Sequence, residues 1–109
     1  MEAFEFSRQT IEACAKYDFI HEIEIQLLDE PVAKIKAIID SGTFISIFYN
    51  AETYKYSFAL IKENKRILGA DNARNWHIHP FESPDSHLES SGLSLSDFLD
   101  MLASNKDKW

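Results

Sequence analysis

Alternating apolar and polar residues fill the middle of this chain. In His21–Leu28, Ile23, Ile25 and Leu27 interleave with Glu22, Glu24 and Gln26. In Val32–Ile39, Ile35, Ala37 and Ile39 interleave with Lys34, Lys36 and Ile38. Thr43–Asn50 is dense in Phe, Ile and Tyr, and Thr53–Lys62 sets Tyr54, Tyr56, Phe58 and Leu60 on one side. Lys65–Gly69 is a last short run. Successive side chains of a strand point to opposite faces, so a period of two predicts strands with one buried and one wet face. Asp29-Glu30-Pro31, Asp40-Ser41-Gly42, Ala51-Glu52 and Glu63-Asn64 separate the runs. Such short links suit antiparallel neighbours, because a parallel crossover needs a dozen residues or more. The pattern therefore predicts an antiparallel meander of about five strands. Acids at Glu22 and Glu24 and lysines at Lys34 and Lys36 predict neighbouring strands whose solvated faces attract.

Helical spacing appears only at the two ends. Phe6–Tyr17 places Ile11, Cys14 and Ala15 on one face, with Ser7 as the expected cap. Near the other end, Leu95, Phe98, Leu99 and Leu102 form an apolar stripe at i, i+3, i+4 and i+7. Ser94 and Asp97 have the spacing of a capping box, and Lys106–Trp109 reads as a polar tail. The expected fold is α+β: a meander with an N-terminal and a C-terminal helix packed on one face. At 109 residues with 45% apolar content, residues 1–109 suit a single domain.

Charge narrows the functional classes. The chain carries 18 acids against 11 bases, a net charge of −7. Tight binding to nucleic acid through phosphates alone normally needs a basic face, so an RNA substrate would have to be held largely by stacking, or at a local patch such as Lys62, Lys65 and Arg66. No apolar window is long enough to span a membrane, and the acidic start MEAFEFSRQ is unlike a signal peptide. Cys14, the only cysteine, cannot form an internal disulfide, which fits a cytoplasmic setting.

The chemistry is concentrated in Asp71–His87, DNARNWHIHPFESPDSH. It holds His77, His79 and His87, three of the chain's four histidines. His77 and His79 share a side in extended chain, and seven intervening residues let His87 return to them. The segment is expected to form a loop between the last strand and the C-terminal helix. Imidazoles beside Asp71 or Asp85 suit a divalent transition metal. The same groups suit acid–base catalysis without a cofactor, because imidazole titrates near neutrality. Trp76 and Phe81 offer flat faces for a base. His21, alone at a strand edge, suggests no chemistry.

These residues carry a family resemblance. Asp40-Ser41-Gly42 with Phe44–Phe48, Tyr54-Lys55-Tyr56-Ser57, Asp71-Asn72-Ala73, His77-Ile78-His79-Pro80 with Pro84 and His87, and the helix Leu93–Leu102 follow in the order seen in TumE-type proteins. That family is identified as toxin components of prokaryotic toxin–antitoxin pairs. The resemblance spans roughly Glu22–Leu102. It implies a toxin role and a small helix-turn-helix antitoxin as partner, and it assigns no catalytic residue.

Three readings follow. In the first, the toxin acts on RNA: one imidazole takes the 2′-hydroxyl proton and an imidazolium protonates the leaving oxygen. His77 and His79 would be base and acid, His87 would assist, and Asp71 would orient a ring. Asn72, Trp76 and Arg74 would contact substrate, with Trp76 stacking a base. In the second, His77, His79 and His87 bind metal, with Asp85 or Asp71 as a fourth ligand. In the third, the chain is an interaction module whose sheet, with Ile38 outward, meets a partner or a second copy as a homodimer.

Overall fold

The computed structural model describes residues 1–109. Its elements are α1 (Ala3–Cys14), β1 (Glu22–Asp29), β2 (Val32–Asp40), β3 (Thr43–Asn50), β4 (Lys55–Lys62), β5 (Lys65–Asp71), β6 (His77–His79), β7 (Leu88–Glu89) and α2 (Leu95–Ser104). The strands form one antiparallel sheet in sequence order, β1 to β7. The expected α+β meander is therefore present, extended by two short strands. β6 lies within the segment expected to be loop, and β7 directly follows it. His77, Ile78 and His79 pair with Asp71, Ala70 and Gly69 of β5, so two of the histidines stand on the sheet itself.

Alternation divides the sheet into two faces. Ala33, Ile35, Ala37, Ile45, Ile47, Tyr49, Phe58, Leu60, Leu68 and Ala70 are buried and form the core with the helices. Phe6 of α1 stacks on Tyr49, and Phe98 of α2 meets Phe58. Lys34, Lys36, Phe44, Phe48, Ala59 and Ile61 alternate with the buried residues and face the other way, onto a side no helix covers. Ile38 lies there as expected, half-buried. Glu24 stands opposite Lys36, in line with the charge pattern. Lys34 stands opposite Leu27 instead, because the register shifts between Ile25 and Leu27.

Several local expectations are corrected. α1 begins at Ala3 rather than Phe6, and Ser7 is not its cap. Ser7 is buried inside the helix, where its hydroxyl donates to Phe4 O. The free N–H groups of Ala3 and Phe4 donate to the two carboxylate oxygens of Glu30, at 2.8 Å each. A helix start leaves such donors unpaired and favours an anion; here the turn between β1 and β2 supplies it. Tyr54 is not a strand residue: it is exposed in the β3–β4 turn with φ 58°. Glu63 and Asn64 both have positive φ, as a tight two-residue hairpin turn requires. The C-terminal tail is not simply polar. Trp109 packs edge-on against Phe19, and its indole N–H donates to Leu102 O. Cys14 is core, and burial pushes its thiol up to about 11.

α2 has the expected capping box. The Asp97 N–H donates to Ser94 Oγ at 3.0 Å, and the Ser94 N–H donates to the Asp97 carboxylate at 2.9 Å. These bonds hold the Asp97 carboxyl below its ordinary value. The stabilisation is therefore present above the unfolded carboxyl pKa and is lost as pH falls through the folded one. Replacing Ser94 by Ala is expected to cost about 1 kcal/mol, a drop in melting temperature of roughly 4–8 °C by calorimetry.

Candidate metal centre

Strand pairing assembles the site. His77 and His79 project from the uncovered face of β6, beside Asp71 and Gly69 of β5. His87 precedes β7, which pairs with β6 through His77–Glu89, so its ring reaches the same side. The three rings have centroid separations of 4.4, 4.9 and 5.0 Å. One ligand nitrogen from each lies within 4.8 Å of the other two.

The hydrogen bonds around the rings are more informative than their proximity. His77 Nδ1 lies 2.9 Å from Asn75 O, and His79 Nδ1 lies 3.1 Å from Ser86 O. A backbone carbonyl can only accept, so each of these contacts is a hydrogen bond where Nδ1 carries the proton; His79 Nδ1 also lies 3.4 Å from the Arg66 guanidinium, which can only donate. In a neutral imidazole the other nitrogen, Nε2, then holds a lone pair. Both Nε2 atoms point at Asp71, His77 to Oδ1 at 3.1 Å and His79 to Oδ2 at 3.2 Å. Two ring lone pairs facing an ionised carboxylate repel it unless positive charge lies among them. Two extra protons or one divalent cation would supply that charge. Protonating both rings places two imidazolium ions in edge contact, with the Arg66 guanidinium 3.4 Å from His79 Nδ1. A single cation avoids that repulsion and leaves both Nδ1–H bonds intact.

The surroundings hold these side chains in place. The Ala73 N–H donates to Asp71 Oδ1 at 3.1 Å and orients the carboxylate. Metal-binding histidines commonly donate their second N–H to a carbonyl in this way. Gly69 lies directly across from His79; a Cβ there would stand 3.3 Å from His79 Cδ2 and 3.0 Å from Arg66 Cδ. A glycine inside a strand often marks such a close approach. His79 is the deepest of the three rings, with its side chain only 4% exposed, while His77 is 15% exposed. His87 is exposed and packs its ring against those of His77 and His79 without a side-chain hydrogen bond. A tetrahedral zinc ion with Zn–N bonds of ≈ 2.0–2.1 Å needs ligand nitrogens roughly 3.4 Å apart, inside the 4.8 Å that bounds their separations here.

The expected site residues divide into two groups. His77, His79, His87 and Asp71 are brought together. Asp85 is not: it flanks a separate hollow with Lys65, Arg66 and Pro84. Asp71, not Asp85, is the carboxylate beside the rings. Asn72 is engaged in structure, since its Oδ1 accepts from Tyr56 N and its Nδ2 donates to Tyr54 O, both at 2.8 Å. Trp76 faces the helices, with its ring 5.8 Å from Tyr56 and 6.3 Å from Phe58. It anchors β6 to the core while staying half-buried, lining a hollow beside Met1, Phe6 and Leu93. Arg74 does reach the site. It sits in the left-handed region at φ 73° and lines, with Arg66, the hollow of ≈ 440 Å³ that holds the histidines. Ser86 O and Gly69 lay outside the expected set; only the glycine had a sequence signal, an isolated Gly in a strand.

Set against family models, curated proteins and solved structures, the chain finds no match in any of the three.

Proposed function

We propose that His77, His79, His87 and Asp71 bind a divalent transition metal, and that this centre is the working part of a TumE-type toxin directed at RNA. The metal reading is carried by one observation: both Nδ1 atoms face backbone carbonyls while both Nε2 atoms converge on one carboxylate. Three imidazoles and a carboxylate are a zinc-type donor set. A divalent ion there would supply Lewis-acid activation of water or of an ester oxygen. The toxin role and a helix-turn-helix antitoxin partner rest on the sequence resemblance.

Elemental analysis of protein purified without a histidine tag tests the metal. About one transition-metal ion per chain is the expected result. Less than about 0.1 per chain would sink the reading, because a site of this kind should retain zinc. Expression in a bacterial host tests the toxin role: growth arrest is expected, with relief by His79→Ala. A harmless wild type that leaves RNA intact contradicts it.

A second reading, acid–base catalysis without metal, has one point in its favour. Asp71 is within hydrogen-bonding reach of both Nε2 atoms, so a protonated pair would also satisfy it. The depth of His79 weighs against it, because only 4% of its side chain is open to a substrate. RNA cleavage that survives complete removal of metal would favour this second reading.

A further inference from the structure

Away from the histidines, the uncovered face of the sheet has its own character. The chain carries a net charge of −7, yet β2 to β5 present Lys34, Lys36, Lys55 and Arg66 on this face, with Asp71 as the acid among them. Glu22 and Glu24 stay at the far edge, on β1. Apolar and aromatic side chains lie between the lysines. The ammonium of Lys36 sits 4.2 Å above the ring of Phe44, which occupies that ring. No cation caps the ring of Phe48. Phe48 instead lines a hollow of ≈ 200 Å³ together with Lys55, Ser57 and Asp71. Asp71 also lines the histidine hollow, where Arg66 and Arg74 stand. The two hollows are thus contiguous through a metal-ligand residue.

We infer that this face binds single-stranded nucleic acid, with one base stacked on Phe48, its phosphate on Lys55, and the next phosphate led toward Arg66 and Arg74. This deepens the metal-centre reading by naming the substrate class of the same site. Stacking explains how an acidic chain could hold a polyanion: every base offers a π-face, and the cations need only be local. A duplex hides those base faces, so single strands are the fitting ligand.

The test is fluorescence anisotropy with a labelled ten-nucleotide RNA, the same DNA sequence, and its duplex, at low salt. Wild-type protein is expected to bind both single strands and to bind the duplex more weakly. Phe48→Ala should weaken binding about tenfold, in the range that loss of one base–aromatic stack gives. Lys55→Glu, at an exposed position where folding is not at stake, should weaken it by a similar factor. Phe4→Ala, on the helix side, should change nothing. Loss with Lys55→Glu but not with Phe48→Ala would mean unspecific charge attraction and would overturn the subsite, as would absence of wild-type binding or preference for the duplex. Metal content measured on the same samples keeps the two readings apart. Metal-stripped protein that still binds the single strand supports the subsite even if the centre fails, and metal-loaded protein that binds no strand refutes the subsite alone.

Discussion

Asp71→Asn is expected to empty the centre while leaving the fold in place. Asn keeps the shape of the side chain but removes the charge on which His77 Nε2 and His79 Nε2 converge at 3.1 and 3.2 Å. Partners that merely orient a ligand are typically worth roughly 10–100-fold in metal affinity, and loss of an anionic ligand should exceed that range. Competition against a chromophoric zinc chelator reads the affinity directly. Circular dichroism should stay native, since Asp71 lies at the end of β5 and is not a core residue. An affinity within threefold of wild type would remove Asp71 from the ligand set.

The largest loss of stability is expected from Phe58→Ala. Phe58 is 1% exposed and touches Tyr56, Trp76 and Phe98. It therefore joins β4, the start of β6 and α2 in one aromatic cluster. Truncating a buried Phe to Ala costs about 3–5 kcal/mol, through lost transfer energy and the cavity left behind. Urea denaturation should show a much lower midpoint with an unchanged slope. Because Trp76 rests on Phe58 and directly precedes His77, the variant should also bind zinc more weakly while still folded. A midpoint shift equivalent to less than about 1 kcal/mol would mean that the cluster repacks around the gap.

The central meander was legible because its cause is local. Ile35, Ala37 and Ile39 alternate with polar neighbours, and the turns between the runs have the residues that turns require. Tyr54 shows where alternation misleads: it has the right parity for the buried side of β4 but falls in the turn before it, at positive φ. The start of α1 was unreadable for another reason. Its cap is Glu30, 27 positions from Ala3, and no local pattern reports a contact of that span. β6 and β7 were missed because strands of three and two residues are too short to show a period. That omission mattered most for the site. As a loop, the histidine segment carried no information about which nitrogen faces what. As part of the sheet, it sets His77 and His79 beside Asp71 and leaves Trp76 on the core side. Parity alone, applied from Trp76 to His79, would have separated those roles had a strand been recognised.

The imidazole nitrogens themselves give the most direct test of the centre. Long-range proton–nitrogen correlation spectra of the histidine rings should be recorded on metal-free protein and again with one equivalent of zinc. With zinc, His77 and His79 are expected to be protonated at Nδ1 alone, with their Nε2 resonances moved to metal-bound positions. Spectra that zinc leaves unchanged, with both nitrogens of each ring protonated, would contradict the account.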